Sequence, residues 1–372
     1  MRTFGTIAGL AALTLASAAC AAESSNSATP DINEVSDEVV TIEPHQEVEL
    51  SEWCGDKELK IGMVEGHDNS WRRAVRAVAE NEVAKCSALD PNVRWVSAGG
   101  DQQKAISDIN GLVAQGVDVM LVNPDFGAAE LPALRAATKA GVTVIVWSQD
   151  PGGKPGVDYS GKIVQDLESV GKDMATWIGE TVGEGNAVFL GGIPGAAVSA
   201  NLIAAVKQGL ADYPDIKLLV DEPVTTDWNK VGTQRAVSGL LARYPKIDGI
   251  MTDWGLTAQA AIEAFASAGA PIPATATLAS TNELGCAWKK MNEQGKDVPL
   301  FTIDYSVDNV IPALHMGVQL ANGMDVPTVA KFHMLPYADT PNDKLPDCDP
   351  NLPLDVDLSA PLTREELAAT VE

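Results

Sequence analysis

Residues 59–78 read LKIGMVEGHDNSWRRAVRAV. An apolar strand, Leu59–Val64, runs into a polar turn, His67-Asp68-Asn69-Ser70, and Trp71 then opens an amphipathic helix that continues to Cys86. In an open α/β sheet, ligands sit beyond the carboxyl ends of the strands. A side-chain amide and a rigid aromatic at this handover therefore mark a candidate site, and the next question is whether later turns repeat the pattern.

They do. Short, nearly all-apolar segments at 59–64, 93–96, 117–122, 142–146, 187–190, 217–220, 249–252 and 300–303 alternate with helical patterns at 71–86, 102–115, 128–140, 167–182, 196–211, 230–244, 257–268 and 286–293. Apolar strands separated by amphipathic helices predict parallel sheets covered on both faces, an α/β fold. Asp101 and Asp166 stand at N-cap positions, and Gly116, Gly141 and Gly269 close helices. The Pro/Gly-rich run 150–156 breaks the alternation near the middle, which predicts two lobes.

The carboxyl-end turns hold an unusual inventory: Asn69 and Trp71, Asn123-Pro124-Asp125, Trp147-Ser148-Gln149-Asp150, then Asn201, Asp227-Trp228-Asn229, Asp253-Trp254, Asn282-Glu283 and Asp304-Tyr305. Each Asn or Asp alone is explained by turn geometry and capping. Tryptophan has no such turn preference, and Trp71, Trp147, Trp228 and Trp254 all fall at strand ends. The set suits a neutral polyhydroxy ligand. Amides satisfy hydroxyls as donors and acceptors, carboxylates accept from them, and indoles cover the C–H face of a ring.

With 372 residues the chain holds two domains of ordinary size, and 45% hydrophobic residues make it globular. A net charge of −25 disfavours nucleic acid, anionic lipid and anionic ligands. Arg2, the apolar stretch 4–15 and the small residues 16–19 before Cys20 form an export signal. It is similar to a lipoprotein signal with Cys20 as the lipidated first residue; ordinary cleavage near Ala18 is the alternative. Residues 1–19 are thus read as signal peptide and 20–57 as anchor and flexible tether. No later stretch has 18 uninterrupted apolar residues, so the anchor is the one expected membrane attachment.

Setting Cys20 aside leaves Cys54, Cys86, Cys286 and Cys348, an even number suited to an oxidising compartment. Cys54 precedes the first strand and Cys86 ends the helix after it, so a βα unit returns them to one sheet edge. Cys286–Cys348 is then the second pair by elimination. None of the four has metal-site spacing, and no metal or cofactor is expected.

From Leu59 to about Leu335 the chain resembles a periplasmic sugar-binding protein of the ribose-binding type, the solute receptor of an ABC importer. The resemblance is carried by 60–69, by Val119-Met120-Leu121-Val122-Asn123-Pro124, by Gly191–Gly195, by Trp228 and by Ile250–Asp253. It implies two doubly wound parallel-sheet lobes joined by a three-crossover hinge, with residues 58–160 plus 305–328 in the N-terminal lobe and 161–304 plus 329–372 in the C-terminal lobe. The helical pattern 308–321 would be the return to the first lobe.

The resemblance implies ligand positions at Asn69, Trp71, Asn123, Ser148, Gln149, Asn201, Trp228, Asp253, Asn282, Asp304 and Tyr305. It also implies a neutral sugar or polyol as ligand, a membrane permease as partner, and a monomer without catalysis. Where the family's fourth strand ends in an Asp-Arg pair, this chain reads Ser148-Gln149, and a second Arg expected near Asn201 is absent. These departures argue against ribose itself; another pentose, a hexose or a polyol fits at least as well.

An enzyme acting on a small polar substrate in the same cleft is the competing class. Gly191-Gly192-Ile193-Pro194-Gly195 lies between a strand and a helix, but it is not G-x-G-x-x-G and lacks the Lys-Ser/Thr of a phosphate loop. A tight strand-to-helix turn explains it. His67 and Asp68 could do acid–base chemistry, yet no Gly-x-Ser-x-Gly elbow or cysteine nucleophile accompanies them. His45 falls in the tether, and His67, His315 and His333 share no metal spacing.

Overall fold

The computed structural model describes residues 39–371. The expected signal peptide, the lipidation site Cys20 and the tether as far as residue 38 lie outside them. The chain enters at β1 (Val40–Ile42) and α1 (Leu50–Trp53), followed by β2 (Ile61–Glu65), α2 (Ser70–Lys85), β3 (Arg94–Ser97), α3 (Gln102–Ala114), β4 (Val119–Asn123), α4 (Leu131–Lys139), β5 (Thr143–Ser148) and β6 (Gly161–Gln165). It crosses to a second sheet through α5 (Leu167–Val182), β7 (Gly185–Gly191), α6 (Ala197–Gly209), β8 (Ile216–Leu218), β9 (Val224–Thr225), α7 (Lys230–Arg243), β10 (Gly249–Thr252), α8 (Gly255–Ser267), β11 (Ala274–Leu278), α9 (Asn282–Glu293) and β12 (Leu300–Asp304). It then returns through α10 (Val310–Asn322) and β13 (Val329–Phe332), crosses again to β14 (Leu335–Asp339), and ends in α11 (Arg364–Ala369).

Two 7-stranded sheets result, ordered β1-β13-β6-β5-β4-β2-β3 and β14-β12-β11-β10-β7-β8 with β9 beside β7. All pairs are parallel except β12–β14. Strand periodicity decides the layers. In β4, Val119 and Leu121 pack with α2 and α10, while Met120 and Val122 pack with α3 and α4. In β7, Phe189 faces α5 and α6, while Val188 and Leu190 face α7 and α8. The expected α/β architecture of two doubly wound lobes is thus what the chain adopts.

The lobe boundaries differ from the expected ones. β6 pairs with β5 on one side and with β13 on the other, in the first sheet, so 161–165 and 329–332 belong to the first lobe and not the second. The crossings fall at 165–167, 304–310 and 332–335. The run 39–57, expected as tether, is folded: β1 pairs with β13, and Trp53 is buried and stacked on His315 with centroids 4.2 Å apart. The tail is also more than part of the second lobe, because Glu366 in α11 accepts from Asn81 of α2 at 2.7 Å and Arg73 donates to the Thr370 carbonyl.

Both expected disulfides are present. Cys54–Cys86 (Cα separation 5.6 Å) ties α1 to the end of α2, and Cys286–Cys348 (4.7 Å) ties the tail to α9. Asp101 and Asp166 cap α3 and α5 through the Lys104 and Ser169 amides, as their positions predict.

Candidate functional site

The carboxyl ends of both sheets face one cleft of about 310 Å³, a volume suited to one small ligand. Four of its residues, Ser148 (φ 64°), Asp227 (54°), Trp228 (48°) and Ala279 (52°), are non-glycine residues in the left-handed region. Such backbone persists where surrounding packing holds it, and it clusters at functional sites.

The first lobe supplies the polar wall. Asn69 caps α2 by accepting from the Arg72 amide at 3.0 Å, and so points Trp71 into the cleft. The Trp71 ring stacks on the buried Trp147 (6.0 Å, 14°), and its Nε1 donates to Ser306 Oγ at 2.9 Å in the middle crossover. Asn123 and Gln149 are buried here, and Asn123 Oδ1 and Gln149 Oε1 have no hydrogen-bond partner. Ser148 and Gln165 complete this side.

Beneath that wall lies an ionic network. Arg72 pairs with Glu65 and, through Nη2 at 2.8 Å, with Asp125; Asp125 also meets His67 Nδ1 at 3.0 Å. Burial pushes the Glu65 carboxyl up to about 8 against the pull of Arg72. Burial opposes ionisation of Asp125 as well, but Arg72 and His67 outweigh it and hold the carboxyl below its usual range. Arg72 remains charged: burial works against it, and Asp125 and Glu65 more than compensate. The network sets the Arg72 guanidinium and the Asp125 carboxylate side by side at the cleft.

The second lobe supplies a mainly apolar wall of Ile193, Val198, Trp228, Trp254 and Leu278. Trp228 lies flat on Gly192, where a Cβ would come 1.9 Å from the indole, so only glycine fits. Trp228 Nε1 donates to Asp253 Oδ1 at 3.1 Å, and Asp253 Oδ2 accepts from Gly192 N at 3.1 Å and from Ser199 Oγ. Burial raises the Asp253 carboxyl to about 6, the three donors partly offsetting it.

Of the anticipated positions, Asn69, Trp71, Asn123, Ser148, Gln149, Trp228 and Asp253 line this cleft, and Asn201, Asn282, Asp304 and Tyr305 do not. Asn201 is exposed and borders a neighbouring groove. The Asn282 amide is taken by the tail, donating to the carbonyls of Asp349, Leu352 and Pro353 and accepting from the Asp349 amide. Asp304 is fully buried, receives the Ser280 amide and faces Asp357, while Tyr305 packs against His45 and Tyr337.

Arg72, Asp125 and Gln165 were missed as site residues. The signal for Arg72 was available: a buried strand ending in Glu65 calls for a partner, and Arg72 is the first cation inside the following helix. Arg72 also brings to the cleft a cation that the Ser148-Gln149 departure had argued against. Among the described residues no group of three His, Cys, Asp or Glu side chains could hold a metal ion.

Two α/β lobes joined by three crossings, with a cleft between their carboxyl edges, define a bilobal solute-binding protein. The chain belongs to the periplasmic binding protein domain family, whose sequence model matches residues 62–297. Membership implies an exported protein. The chain is 28% identical over 186 residues to a xylitol-binding protein of Mycolicibacterium smegmatis, a match over 48% of this chain and 51% of that one. It therefore spans about half the length of that relative. A ribose import binding protein of Bacillus subtilis is 28% identical over 234 residues, 62% of this chain and 73% of the relative. Among solved structures, a periplasmic solute-binding protein of an ABC transporter from Actinobacillus succinogenes with bound D-allose has a TM-score of 0.64 at 22% identity, covering 75% of this chain and 96% of that one. At that identity the likeness is one of fold.

Proposed function

We propose that this protein is the solute receptor of an ABC importer, binding a neutral monosaccharide or polyol between its lobes and presenting it to a membrane permease. The observation that carries the reading is a pair of buried, unpartnered amide oxygens, Asn123 Oδ1 and Gln149 Oε1, in a cleft whose opposite wall carries the Trp228 and Trp254 indoles. An unmatched buried acceptor costs about 1–3 kcal/mol, and a ligand hydroxyl removes that cost. The indoles cover a C–H face. The sugar and polyol ligands of the relatives support the same class.

Binding uses Asn69, Trp71, Asn123, Ser148, Gln149, Trp228 and Asp253, with Arg72 beside them. A ligand touching both walls favours the closed arrangement of the lobes, and the permease distinguishes closed from open. The protein acts as a monomer without turnover, held at the membrane by lipid on Cys20.

Thermal-shift and calorimetric screening against pentoses, hexoses and polyols tests the ligand class. A ligand at about a hundred times its Kd adds roughly 2.7 kcal/mol of stability. Recovery of chemically altered sugar after incubation would favour the enzyme instead. For the anchor, Cys20→Ala should release the protein from membranes or block its maturation.

A further inference from the structure

We propose that the cleft selects a deoxy sugar, a monosaccharide with one carbon stripped of its hydroxyl, and that this bare carbon faces the second lobe. This rests on reading the cleft as a sugar site and narrows the class of sugar. The argument is an inventory of unspent hydrogen-bonding capacity on each wall.

On the first lobe, buried acceptors stand open at Asn123 Oδ1 and Gln149 Oε1. On the second lobe the capacity is nearly used up. Asp253 Oδ2 already accepts from the Gly192 amide and Ser199 Oγ, and Oδ1 accepts from the Trp228 indole. A carboxylate oxygen has two lone pairs, so Asp253 has room for a single further hydrogen bond, through Oδ1. Asp227 is exposed and pairs with Arg235 at 3.0 Å. What remains of that wall is Ile193, Val198, Leu278 and Ala279, with the Trp254 indole adding an N–H donor.

A ring densely hydroxylated on all sides would push at least one hydroxyl against Ile193, Val198 and Leu278, where neither its proton nor its lone pairs find a partner. A methyl or methylene group at the same place loses nothing and buries apolar surface. An unpaired hydroxyl in a desolvated site reduces affinity by about tenfold or more.

The test is calorimetric titration of the full-length chain with matched pairs: D-fucose against D-galactose, L-rhamnose against L-mannose, and 6-deoxy-D-glucose against D-glucose. D-ribose, D-xylose and xylitol are run beside them. The expected result is that the deoxy member of at least one pair binds about tenfold or more tightly than its parent. Parents binding as well as or better than their deoxy partners would overturn the inference. Binding confined to the pentoses or xylitol would also overturn it while leaving the sugar-receptor reading intact, and no binding by any of them would remove both.

A substitution locates the effect. Val198→Thr keeps the shape of the wall and adds a hydroxyl at a half-buried helix start. It should shrink the deoxy-to-parent ratio several-fold, and an unchanged ratio would take the discrimination away from this wall.

Discussion

The rings of His67 and Trp228, carried by opposite lobes, meet edge to face with centroids 6.2 Å apart. His67 is in turn fixed by Asp125, and Trp228 by Asp253, so each lobe presents a rigid aromatic edge to the other. Among the described residues, the covalent links between the lobes are the crossings at 165–167, 304–310 and 332–335. Without ligand the lobes should sample wider separations. Saturating sugar should then shrink the radius of gyration in solution scattering and alter the Trp228 emission. Identical profiles with and without bound sugar would mean that the closed form already dominates.

Trp71 and Trp228 bring half-exposed indoles to the cleft from different lobes. Replacing either with Ala should cost about 2–4 kcal/mol of binding free energy, typical of an aromatic anchor in a desolvated pocket. The apo melting point should fall somewhat for Trp71→Ala, which loses the stack on Trp147 and the hydrogen bond to Ser306. It should also fall somewhat for Trp228→Ala, which strips Asp253 Oδ1 of its indole donor. Calorimetry beside apo melting curves checks both, and intact affinity with a lowered melting point would make the rings structural.

Arg72 is the hub of a buried network, with Glu65 on one side and Asp125 on the other. Arg72→Met removes the cation and leaves Asp125 in a poorly solvated site. Breaking a buried pair from one side costs about 3–5 kcal/mol of stability. Adding Asp125→Asn should recover part of that loss, because the stranded charge is then gone. Urea unfolding of the single and double variants measures the coupling; strictly additive effects would show that the network is not a unit.

The alternation of apolar strands with amphipathic helices was legible because parallel strands covered on both faces must be apolar throughout, as β2 and β4 are. β11 was missed for the converse reason. Its ATATL sequence looks polar, yet all five residues are buried, with Thr277 bonded to Thr252 at 2.7 Å and to the Leu278 carbonyl. β6 and β13 alternate buried and half-buried residues, and so lack the all-apolar pattern that marked the other strands. At the cleft, residues expected immediately after strands line the space where the sheet edge faces it. Asn282 and Asp304 share that sequence position but are roofed by the tail, whose path follows from long-range packing that no local pattern encodes.

That roof contains a carboxyl cluster with a pH signature. Burial raises Asp304 to about 7, with Asp357 adding to it; burial raises Asp308 to about 7 and Asp357 to about 6. His45 faces Asp308 at 2.8 Å, and Tyr305, Tyr337 and Asp347 border the group. Folded values lie above the unfolded value of about 3.9, so the folded state binds more protons between roughly pH 4 and 7. The stability from this cluster is therefore fully present near pH 4 and is lost as pH rises through about 7. The melting temperature should be higher at pH 5.5 than at pH 8. Asp304→Asn, which keeps an acceptor for the Ser280 amide, should raise the pH 8 value and flatten the slope. An unaltered slope would place the titration elsewhere.

Asn282 decides between the two meanings of a polar residue at a strand end. The family resemblance makes it a ligand position, whereas here its side chain is fully buried and its amide is engaged by Asp349, Leu352 and Pro353. The disulfide Cys286–Cys348 fastens the same stretch. Asn282→Ala should therefore lower the apo melting point, since it leaves buried tail carbonyls unpaired at about 1–3 kcal/mol, while sugar affinity stays within about twofold, a difference of roughly 0.4 kcal/mol. Asn123→Ala should behave in the opposite way: its Oδ1 is unpartnered in the apo cleft, so affinity falls and the melting point holds. Loosening the tail by Cys286→Ser with Cys348→Ser should add a stability loss of about 2–4 kcal/mol, the usual range for opening a long loop. If Asn282→Ala abolishes binding while the melting curve is unmoved, the tail is not its partner in solution and the ligand site extends into the second lobe as far as Asn282.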